Sequence, residues 1–461
     1  MVKPIKKPKV ITPEEIEVIE EAILTAVEQD RYQDAADHLE GLRPPDQADV
    51  LETMDAKDQD ILLELFHPEA QADILEEIED EEAAEIASRQ ELVDLTRIVE
   101  YMEPDEAADL LGDIEPDQAI TVLEAIAQSE EVRTLLAYDD ETAGGIMTSP
   151  PVTLLENMTV AQATDTVRNA MDPGEEEIFY LFVVDQTFHL TGIVSIRYLL
   201  LSRADALIRD IMKHDVLSIL DTADQEEAAR LMARYDLLAL PVVNENNILM
   251  GIITLDDSIA VLVDEATEDI LRLGGVPESA PSDVSALRAV KSRLPWLALN
   301  MITAMASAAV LSFFEDTIAQ IAVLTAFMPI VAGVSGSSAT QTMTVTVRGL
   351  ALGEIELKSA MQTILKELII GLIDGVALGL IVTLIAVLWK GNPMLGVVVG
   401  ISVFLNLICA ALAGVFVPMV MERLKFDPAL ASPILVTTST DTLGYLIYFS
   451  IATAIILPLM T

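Results

Sequence analysis

The longest apolar stretch of the chain, residues 294–461, limits its fold more than any other feature. It begins with Leu294-Pro295-Trp296 and continues, with short polar interruptions, to the last residues. Apolar runs of about 20 residues are typical of membrane-spanning helices, because a helix satisfies its own backbone hydrogen bonds inside hydrocarbon. The stretch predicts an all-α membrane domain, residues 294–461, with five spans at about 295–314, 318–347, 362–389, 393–421 and 430–460.

The residues before this stretch form a strongly acidic body. The 461-residue chain has 75 acidic and 27 basic residues, a net charge of −48, and only nine of the acids lie in residues 294–461. Nucleic acids and anionic lipid surfaces bind to basic faces, so neither is expected as a partner of this body. The charge attracts cations, although solubility alone also explains an acidic surface.

Asp441 is the most informative residue of the apolar stretch. It ends the segment Thr437-Thr438-Ser439-Thr440-Asp441, deep inside the last predicted span. A carboxylate within a membrane is costly and nearly always faces a bundle interior or a water-filled path. Thr437 and Thr438 precede it by one helical turn and share its face. We therefore predict that these three residues bind a cation on a transport pathway.

The side chains available in the stretch indicate which kind of cation. The only cysteine of the chain is Cys409, and all four histidines precede residue 294. Carboxylate, hydroxyl, amide and carbonyl oxygens remain, and these suit hard cations such as Mg²⁺, Ca²⁺ or Mn²⁺. No Gly-Lys-Ser/Thr phosphate-binding loop occurs in the sequence, which disfavours an ATP-driven pump.

Small and polar residues of the second and fourth spans are predicted to line the same pathway. Small residues let helices approach closely, and polar groups inside a membrane domain are rarely placed towards lipid. The predicted lining residues are Gly336, Ser337, Gln341 and Asn406.

Residues 12–135, after a tail of residues 1–11, predict an all-α superhelical domain. A short phrase recurs there, each time followed by apolar pairs. It reads Pro45-Asp46-Gln47-Ala48, Pro68-Glu69-Ala70-Gln71-Ala72, Pro104-Asp105-Glu106-Ala107 and Pro116-Asp117-Gln118-Ala119. Proline with neighbouring acids marks the start of a helix, and short repeated helices bury apolar surface only by stacking on their neighbours.

Residues 139–265 alternate strands with helices in two similar halves, 139–203 and 204–265. Each half has a strand, a turn and then Gly-apolar-apolar-Ser/Thr before a helix, as in Gly192-Ile193-Val194-Ser195 and Gly251-Ile252-Ile253-Thr254. This resembles a tandem pair of CBS domains, a regulatory module that binds adenosyl ligands. Thr254 and Asp257 match the ribose-contacting Thr-x-x-Asp of that family, whereas Tyr198 replaces the Asp in the first half. The resemblance therefore allows one nucleotide site and leaves ATP open as a regulatory ligand.

Residues 266–293 are predicted to form a connecting helix that acts as a plug on the pathway. The segment ends with Arg288, Lys291 and Arg293, immediately before the first span. Basic residues next to spans favour the cytoplasmic side. We therefore expect a multi-pass protein of the cell inner (plasma) membrane, with cytoplasmic N-terminal domains and its C-terminus on the outer side.

The order of these parts resembles the MgtE-type magnesium channels and transporters. The most specific matches are Thr142-Ala143-Gly144-Gly145-Ile146-Met147, Glu265-Ala266-Thr267-Glu268-Asp269, Arg293-Leu294-Pro295-Trp296-Leu297 and Asp427-Pro428-Ala429-Leu430-Ala431-Ser432 before Asp441-Thr442-Leu443-Gly444. The resemblance implies a homodimer in a lipid bilayer, no enzymatic activity, and Asp441 as the pore carboxylate of each subunit.

The resemblance also implies that cytosolic Mg²⁺ binds the soluble domains and closes the pathway. The implied ligands are Asp73, Asp105, Gly145 through its carbonyl, Asp224, Asp236, Asp257, Glu265, Glu268 and Asp269. Ser337 stands where the family motif usually has Asn, and Ala260 and Val263 stand where acids are common. Ion selectivity and the number of regulatory ions are the properties that these departures affect.

Mg²⁺ uptake down its electrochemical gradient is thus the predicted function. A transporter of Co²⁺, Mn²⁺ or another divalent cation, or a CBS-regulated solute carrier, would share this architecture. A membrane-tethered sensor without transport is a further alternative, in which Asp441 is a protonated acid that holds helices together. Channel and carrier mechanisms are not distinguished by the sequence.

Overall fold

The computed structural model describes residues 13–149, 152–170, 179–276, 286–351, 355, 360–456 and 458. They form two compact units, one within residues 1–263 and the other within residues 264–461. The predicted tail, residues 1–11, lies outside the described residues.

Ten short helices begin the first unit. They are α1 Pro13–Glu28, α2 Tyr32–Leu39, α3 Pro44–Glu52, α4 Ala56–Leu63, α5 Pro68–Leu75, α6 Asp80–Arg89, α7 Leu92–Val99, α8 Pro104–Asp113, α9 Pro116–Ala125 and α10 Ser129–Leu135. The recurring phrase starts α3, α5, α8 and α9 as predicted, with proline in the first positions of each. From α2 onwards each helix packs against the helix two positions along the chain, while superhelical curvature stays a prediction.

Buried glutamines tie this stack together at intervals of 12 residues. The amides of Gln47, Gln59 and Gln71 donate hydrogen bonds to the carbonyls of Leu39, Leu51 and Leu63, respectively. Each bond adds a second donor to a carbonyl at the end of the preceding helix, which already accepts from the backbone N–H three residues later. A glutamine interrupts the apolar pattern without loss of stability because its amide is paired.

Two glutamates, 24 residues apart, accept hydrogen bonds from backbone N–H groups at the starts of later helices. The Glu52 carboxylate accepts from the backbone N–H of Glu79, just before α6, and the Glu76 carboxylate accepts from that of Glu103, just before α8. A carboxylate is favourable there because the N-terminus of a helix carries partial positive charge.

The two halves of the next region have the same sheet. In the first, β1 Thr153–Leu155 pairs in parallel with β2 Tyr180–Val184, which pairs antiparallel with β3 Leu190–Ser195. In the second, β4 Ile219–Leu220, β5 Ala239–Val243 and β6 Leu249–Thr254 repeat this order. The helices of the region are α11 Val160–Ala170, α12 Ile196–Leu201, α13 Ile208–Ile211, α14 Gln225–Tyr235 and α15 Leu255–Leu273.

The second half shares its core with the ten-helix stack. Val242 and Ile253 belong to the same buried cluster as apolar residues of α1–α10. The segment before β1 joins this cluster through Ala143 and Met147, and Thr148 exchanges backbone hydrogen bonds with Ile252. The segment before β1, which belongs to the first half by its place in the chain, therefore pairs with β6 of the second half.

The second unit is helical. Its elements are α16 Ala286–Ser312, α17 Glu315–Gln320, a 3₁₀ helix Ala322–Phe327, α18 Met328–Ala351, α19 Ala360–Lys390, α20 Pro393–Arg423 and α21 Pro428–Ile455. Four of the described helical stretches are long and apolar enough to cross a membrane: Ala289–Ser312, Ala322–Ala351, Met361–Lys390 and Pro393–Arg423. Helix α21 is long enough, but its threonines, tyrosines and Asp441 make it less apolar, so a fifth span stays a prediction.

Two predicted boundaries differ from the structure. The span expected over 318–347 breaks before α18, because Pro329 lacks an N–H and would clash with the carbonyl of Thr325 in a continuous helix. The described parts of the predicted connecting helix belong to two longer helices, since residues 266–273 continue α15 and residues 286–293 begin α16. Helix α15 ends at Leu273, and Gly275, two residues later, has a φ of +69°, which glycine adopts readily.

Helix α20 is the centre of the membrane unit and packs against α18, α19 and α21. Three glycines of α19 at four-residue spacing, Gly371, Gly375 and Gly379, lie against α20, and a Cβ atom at Gly379 would approach the Gly400 carbonyl oxygen to 2.9 Å. The absence of side chains there brings the two helices close together.

Replacing Gln47 by alanine tests the glutamine ties. Its amide donates to both Leu39 O at 2.9 Å and Leu42 O at 3.0 Å, so the variant loses two buried hydrogen bonds between α3 and the segment at the end of α2. We expect Q47A to lower the free energy of unfolding of a residue 1–263 fragment by about 1–3 kcal/mol in urea titrations.

Gln118 is the matched control because it has the same place in the recurring phrase. It is half-buried and its single hydrogen bond, to Ala87 O, is 3.5 Å long. Equal losses in Q47A and Q118A would contradict the proposed role of the buried amides.

Candidate cation sites

Asp441 lies at the middle of α21. It is 13 residues from Pro428 and 14 from Ile455, which is about 20 Å from either end of the helix. The side chain is half-buried, and among the described residues no group donates a hydrogen bond to it. Its carboxylate is thus available to water or to a cation.

The predicted partners of Asp441 differ in their surroundings. Thr437 is exposed on the same face, one turn earlier. The Thr438 hydroxyl donates to Ile434 O in its own helix at 2.7 Å and keeps its lone pairs for other donors. Thr442 is held by Ser307 of α16, with 2.9 Å between the hydroxyl oxygens.

A cavity of about 500 Å³ opens between α18, α19 and α20. Two of the predicted pathway residues, Ser337 and Gln341, line it, together with Ser338 of the same helix and Asp374 of α19. The remaining lining residues are Pro329, Gly333, Val334, Leu378 and Leu407. Asp441 is not among the residues that line this cavity.

The other two predicted lining residues lie outside this cavity. Gly336 is half-buried, and a Cβ atom added to it would meet nothing within 4 Å. Asn406 is 2% exposed, its amide lies 3.4 Å from Gly444 O, and its Oδ1 has no partner among the described residues. Asn406 therefore joins α20 to α21, three residues beyond Asp441.

An arginine connects the acidic segment after the CBS pair to the start of α21. Arg272 forms ion pairs with Glu268, one turn earlier in α15, and with Asp427, at 2.6 Å from Nη1 to Oδ2. Asp427 also caps α21 by accepting from the Ala429 N–H at 2.7 Å. Glu268 is a predicted regulatory ligand, and Asp427 appeared in the sequence analysis only as part of a family motif. The ion pairs that connect them through Arg272 were not predicted from the sequence.

The predicted regulatory acids of the first unit lie partly in one electrostatic cluster. Asp105, at the start of α8, is 7% exposed, and burial raises its pKa to about 6, with Asp257 adding to the rise. Burial also raises the pKa of Asp257 and of Asp73. Ions that neutralise these carboxylates would therefore stabilise the unit.

Three further acids join this cluster, and the sequence analysis did not select them. Burial, followed by repulsion from Asp105, raises the pKa of Glu106, and burial also raises that of Asp109 and Glu76. Glu106 and Asp109 follow Asp105 by one and four residues in α8. This helical spacing could have indicated that they lie close to Asp105.

The remaining predicted ligands of this unit, Asp224, Asp236 and Gly145, lie at the two ends of α14 and in a turn. Asp224 caps α14 by accepting from the Glu226 N–H at 2.8 Å, and Asp236 ends the same helix with a φ of +52°. The Gly145 N–H donates to Thr142 O in the tight turn before β1. Among the described residues, no group of three or more His, Cys, Asp or Glu is arranged to hold a metal ion.

The predicted nucleotide pair is assembled within the second half. The Thr254 hydroxyl donates to the Asp257 carboxylate at the junction of β6 and α15, and the Thr254 N–H donates to the same oxygen at 3.2 Å. Asp257 thus belongs both to this pair and to the acidic cluster.

Three family models match consecutive parts of the chain. They are the MgtE intracellular N domain at residues 22–141, the CBS domain at 143–205 and 208–263, and the divalent cation transporter MgtE at 328–451. The chain is therefore a membrane transporter of divalent cations with a CBS pair.

Curated relatives narrow this class. The magnesium transporter MgtE of Bacillus subtilis is 38% identical over 72% of this chain and 73% of its own length, and that of Thermus thermophilus is 38% identical over 70% and 72%. The crystal structure of the cytosolic domain of the Mg²⁺ channel MgtE in complex with ATP is 30% identical, with a TM-score of 0.49, over 52% of this chain and 99% of its own. The chain belongs to the MgtE family of magnesium transporters, and it is not an enzyme.

The buried acids predict a characteristic pH dependence of stability. A carboxyl whose pKa is higher in the folded than in the unfolded protein stabilises the fold fully below its unfolded pKa, and this contribution is lost as the pH rises through the folded pKa. In the absence of divalent ions, the residue 1–263 fragment should therefore melt at a higher temperature at pH 5 than at pH 8.

Asp105→Asn should stabilise the fragment at pH 8, by roughly 2 kcal/mol, and have little effect near pH 4. The control is Asp117→Asn, because Asp117 has the same place in α9 but is exposed. A melting temperature of D105N that falls at pH 8, measured in EDTA, would be inconsistent with a strained carboxylate.

Proposed function

We propose that two copies of this chain form a Mg²⁺ channel in the plasma membrane, with Asp441 of each copy on a shared pathway. The position of Asp441 carries the proposal, because a hydrogen-bond-free carboxylate at the centre of an apolar helix needs a cation or water beside it. One carboxylate neutralises half the charge of Mg²⁺, and a second copy of the chain would supply the other half.

Hydration favours this arrangement over a dehydrated site. Mg²⁺ gives up its waters reluctantly and is usually held through them. Thr437 and Thr438 lie on the Asp441 face and their hydroxyl oxygens can accept hydrogen bonds from those waters.

A divalent ion entering a negative interior gains about 4.6 kcal/mol per 100 mV, so no other energy source is required.

The proposal includes five spans, α16, α18, α19, α20 and α21. With the N-terminal domains in the cytoplasm, Arg293, Arg348, Lys366 and Arg423 lie at cytoplasmic helix ends and Lys390 at an outer one. This distribution supports the predicted orientation, with the C-terminus outside.

Cytosolic Mg²⁺ closes the channel in this proposal. Ions that bind the crowded carboxylates around Asp105 and Asp257 favour a compact arrangement of the soluble domains, which is a population shift. An ion at Glu265, Glu268 and Asp269 would compete with Arg272 for Glu268. Because Arg272 also pairs with Asp427, this competition acts on the residue that caps the Asp441 helix.

An adenine nucleotide is the second regulatory ligand of the proposal. The Thr254–Asp257 pair matches the ribose-binding residues of CBS domains, and its negative charge would make nucleotide and Mg²⁺ binding interdependent.

Asp441→Asn should abolish Mg²⁺ uptake into proteoliposomes while the protein still elutes as the wild-type assembly. The control is Glu422→Gln, which removes an exposed charge at the end of α20 and should transport normally. Wild-type uptake by D441N would remove Asp441 from the pathway.

Glu265→Gln, Glu268→Gln and Asp269→Asn together should preserve conduction and weaken closure by cytosolic Mg²⁺ in patch recordings. Three exposed acids provide the matched control, as Glu124→Gln, Glu130→Gln and Glu131→Gln. Unchanged inhibition in the first triple variant would contradict the gating scheme.

A further inference from the structure

We propose that the cavity between α18, α19 and α20 is a second site for the hydrated transported cation, with Asp374 as its carboxylate. The proposal rests on the proposed transport function and adds a site that is separate from Asp441. The cavity holds about 500 Å³ and is lined by three polar residues of α18 opposite Asp374 of α19.

The position of Asp374 requires a polar environment. It lies eight residues after Lys366 and 16 before Lys390, so about 12 Å and about 24 Å of helix separate it from these two charged residues. A side chain of this length cannot reach either membrane surface from there. The cavity is the polar space that it faces.

The other polar groups converge on the same space. Ser337, Ser338 and Gln341 lie within four residues of each other, which places them on adjoining faces of α18. Nearby, the Thr342 hydroxyl donates to the buried Glu367 carboxylate at 3.2 Å and fixes α18 to α19 beside the cavity.

The donors define the chemistry of the ligand. The lining contributes one carboxylate, one amide and two hydroxyl groups, an all-oxygen set that suits hard cations. An ion with six waters occupies roughly 180 Å³, so it fits with its hydration shell intact. The only charge in the lining is negative, which excludes an anion.

A single carboxylate binds such an ion weakly, as conduction requires. Ions pass quickly through pathways that have several weak sites rather than one strong site.

A Cβ atom at Gly333 would meet nothing within 4 Å, so the cavity wall is open at this position and larger residues fit without disturbing the fold.

Asp374→Asn tests the site in the full-length protein reconstituted into proteoliposomes. We expect the Mg²⁺ concentration for half-maximal uptake to rise about fivefold, with wild-type behaviour largely restored by Asp374→Glu. Asp316→Asn, which removes an exposed acid of α17, should leave this concentration unchanged. An unchanged concentration in D374N would overturn the proposal.

Gly333→Leu provides an independent variant in case D374N does not assemble. It fills the cavity without removing a charge, so it should also raise the half-maximal concentration, and wild-type values would overturn the proposal. If the effect of D374N appears only when Na⁺ is present, the site takes Na⁺ and the divalent assignment is wrong. Absence of Mg²⁺ uptake by the wild-type protein would instead disprove the proposed function, whereas normal uptake by D441N would remove only Asp441 from the pathway and leave the comparison of D374N with the wild type valid.

Discussion

The cost of placing a carboxylate in hydrocarbon governs the membrane unit. Asp441 and Asp374 each lie near the middle of a long helix rich in apolar residues, where a carboxylate needs water or a cation beside it. The helices around them must therefore leave polar space and still pack tightly elsewhere. Glycines of α19 allow close contact with α20, and hydroxyl and amide groups of α18 form the polar side of the cavity. Tight packing on α20 thus occurs together with an open polar space beside it.

In the soluble unit, a related cost is distributed over many residues. The acids of α8 are crowded and partly buried, so their ionised forms oppose folding at neutral pH. The apolar core shared by the helical stack and the second CBS half offsets this opposition. Bound cations would therefore stabilise this unit, because they would neutralise carboxylates whose ionised forms oppose folding.

Much of the architecture could be predicted from local sequence. Proline with neighbouring acids located the starts of four helices, and apolar length located four spans, because both signals depend on neighbouring residues alone. The described parts of the predicted connecting helix, residues 266–293, belong instead to α15 and α16, because each continues or begins a longer helix whose bounds the local sequence did not indicate. Nothing in the sequence near Asp374 indicates that α18 lies opposite, and the Arg272–Asp427 pair joins residues 155 positions apart. Such relations arise only when the helices pack.

The ties of the helical stack recur at 12 and 24 residues, and this has an evolutionary consequence. Because Gln47, Gln59 and Gln71 make the same bond, as do Glu52 and Glu76, the stack is modular. Gene duplication or deletion of one 24-residue pair would lengthen or shorten it while every junction kept its partners. Lineages could in this way vary the length of the helical stack without a new type of contact between its helices.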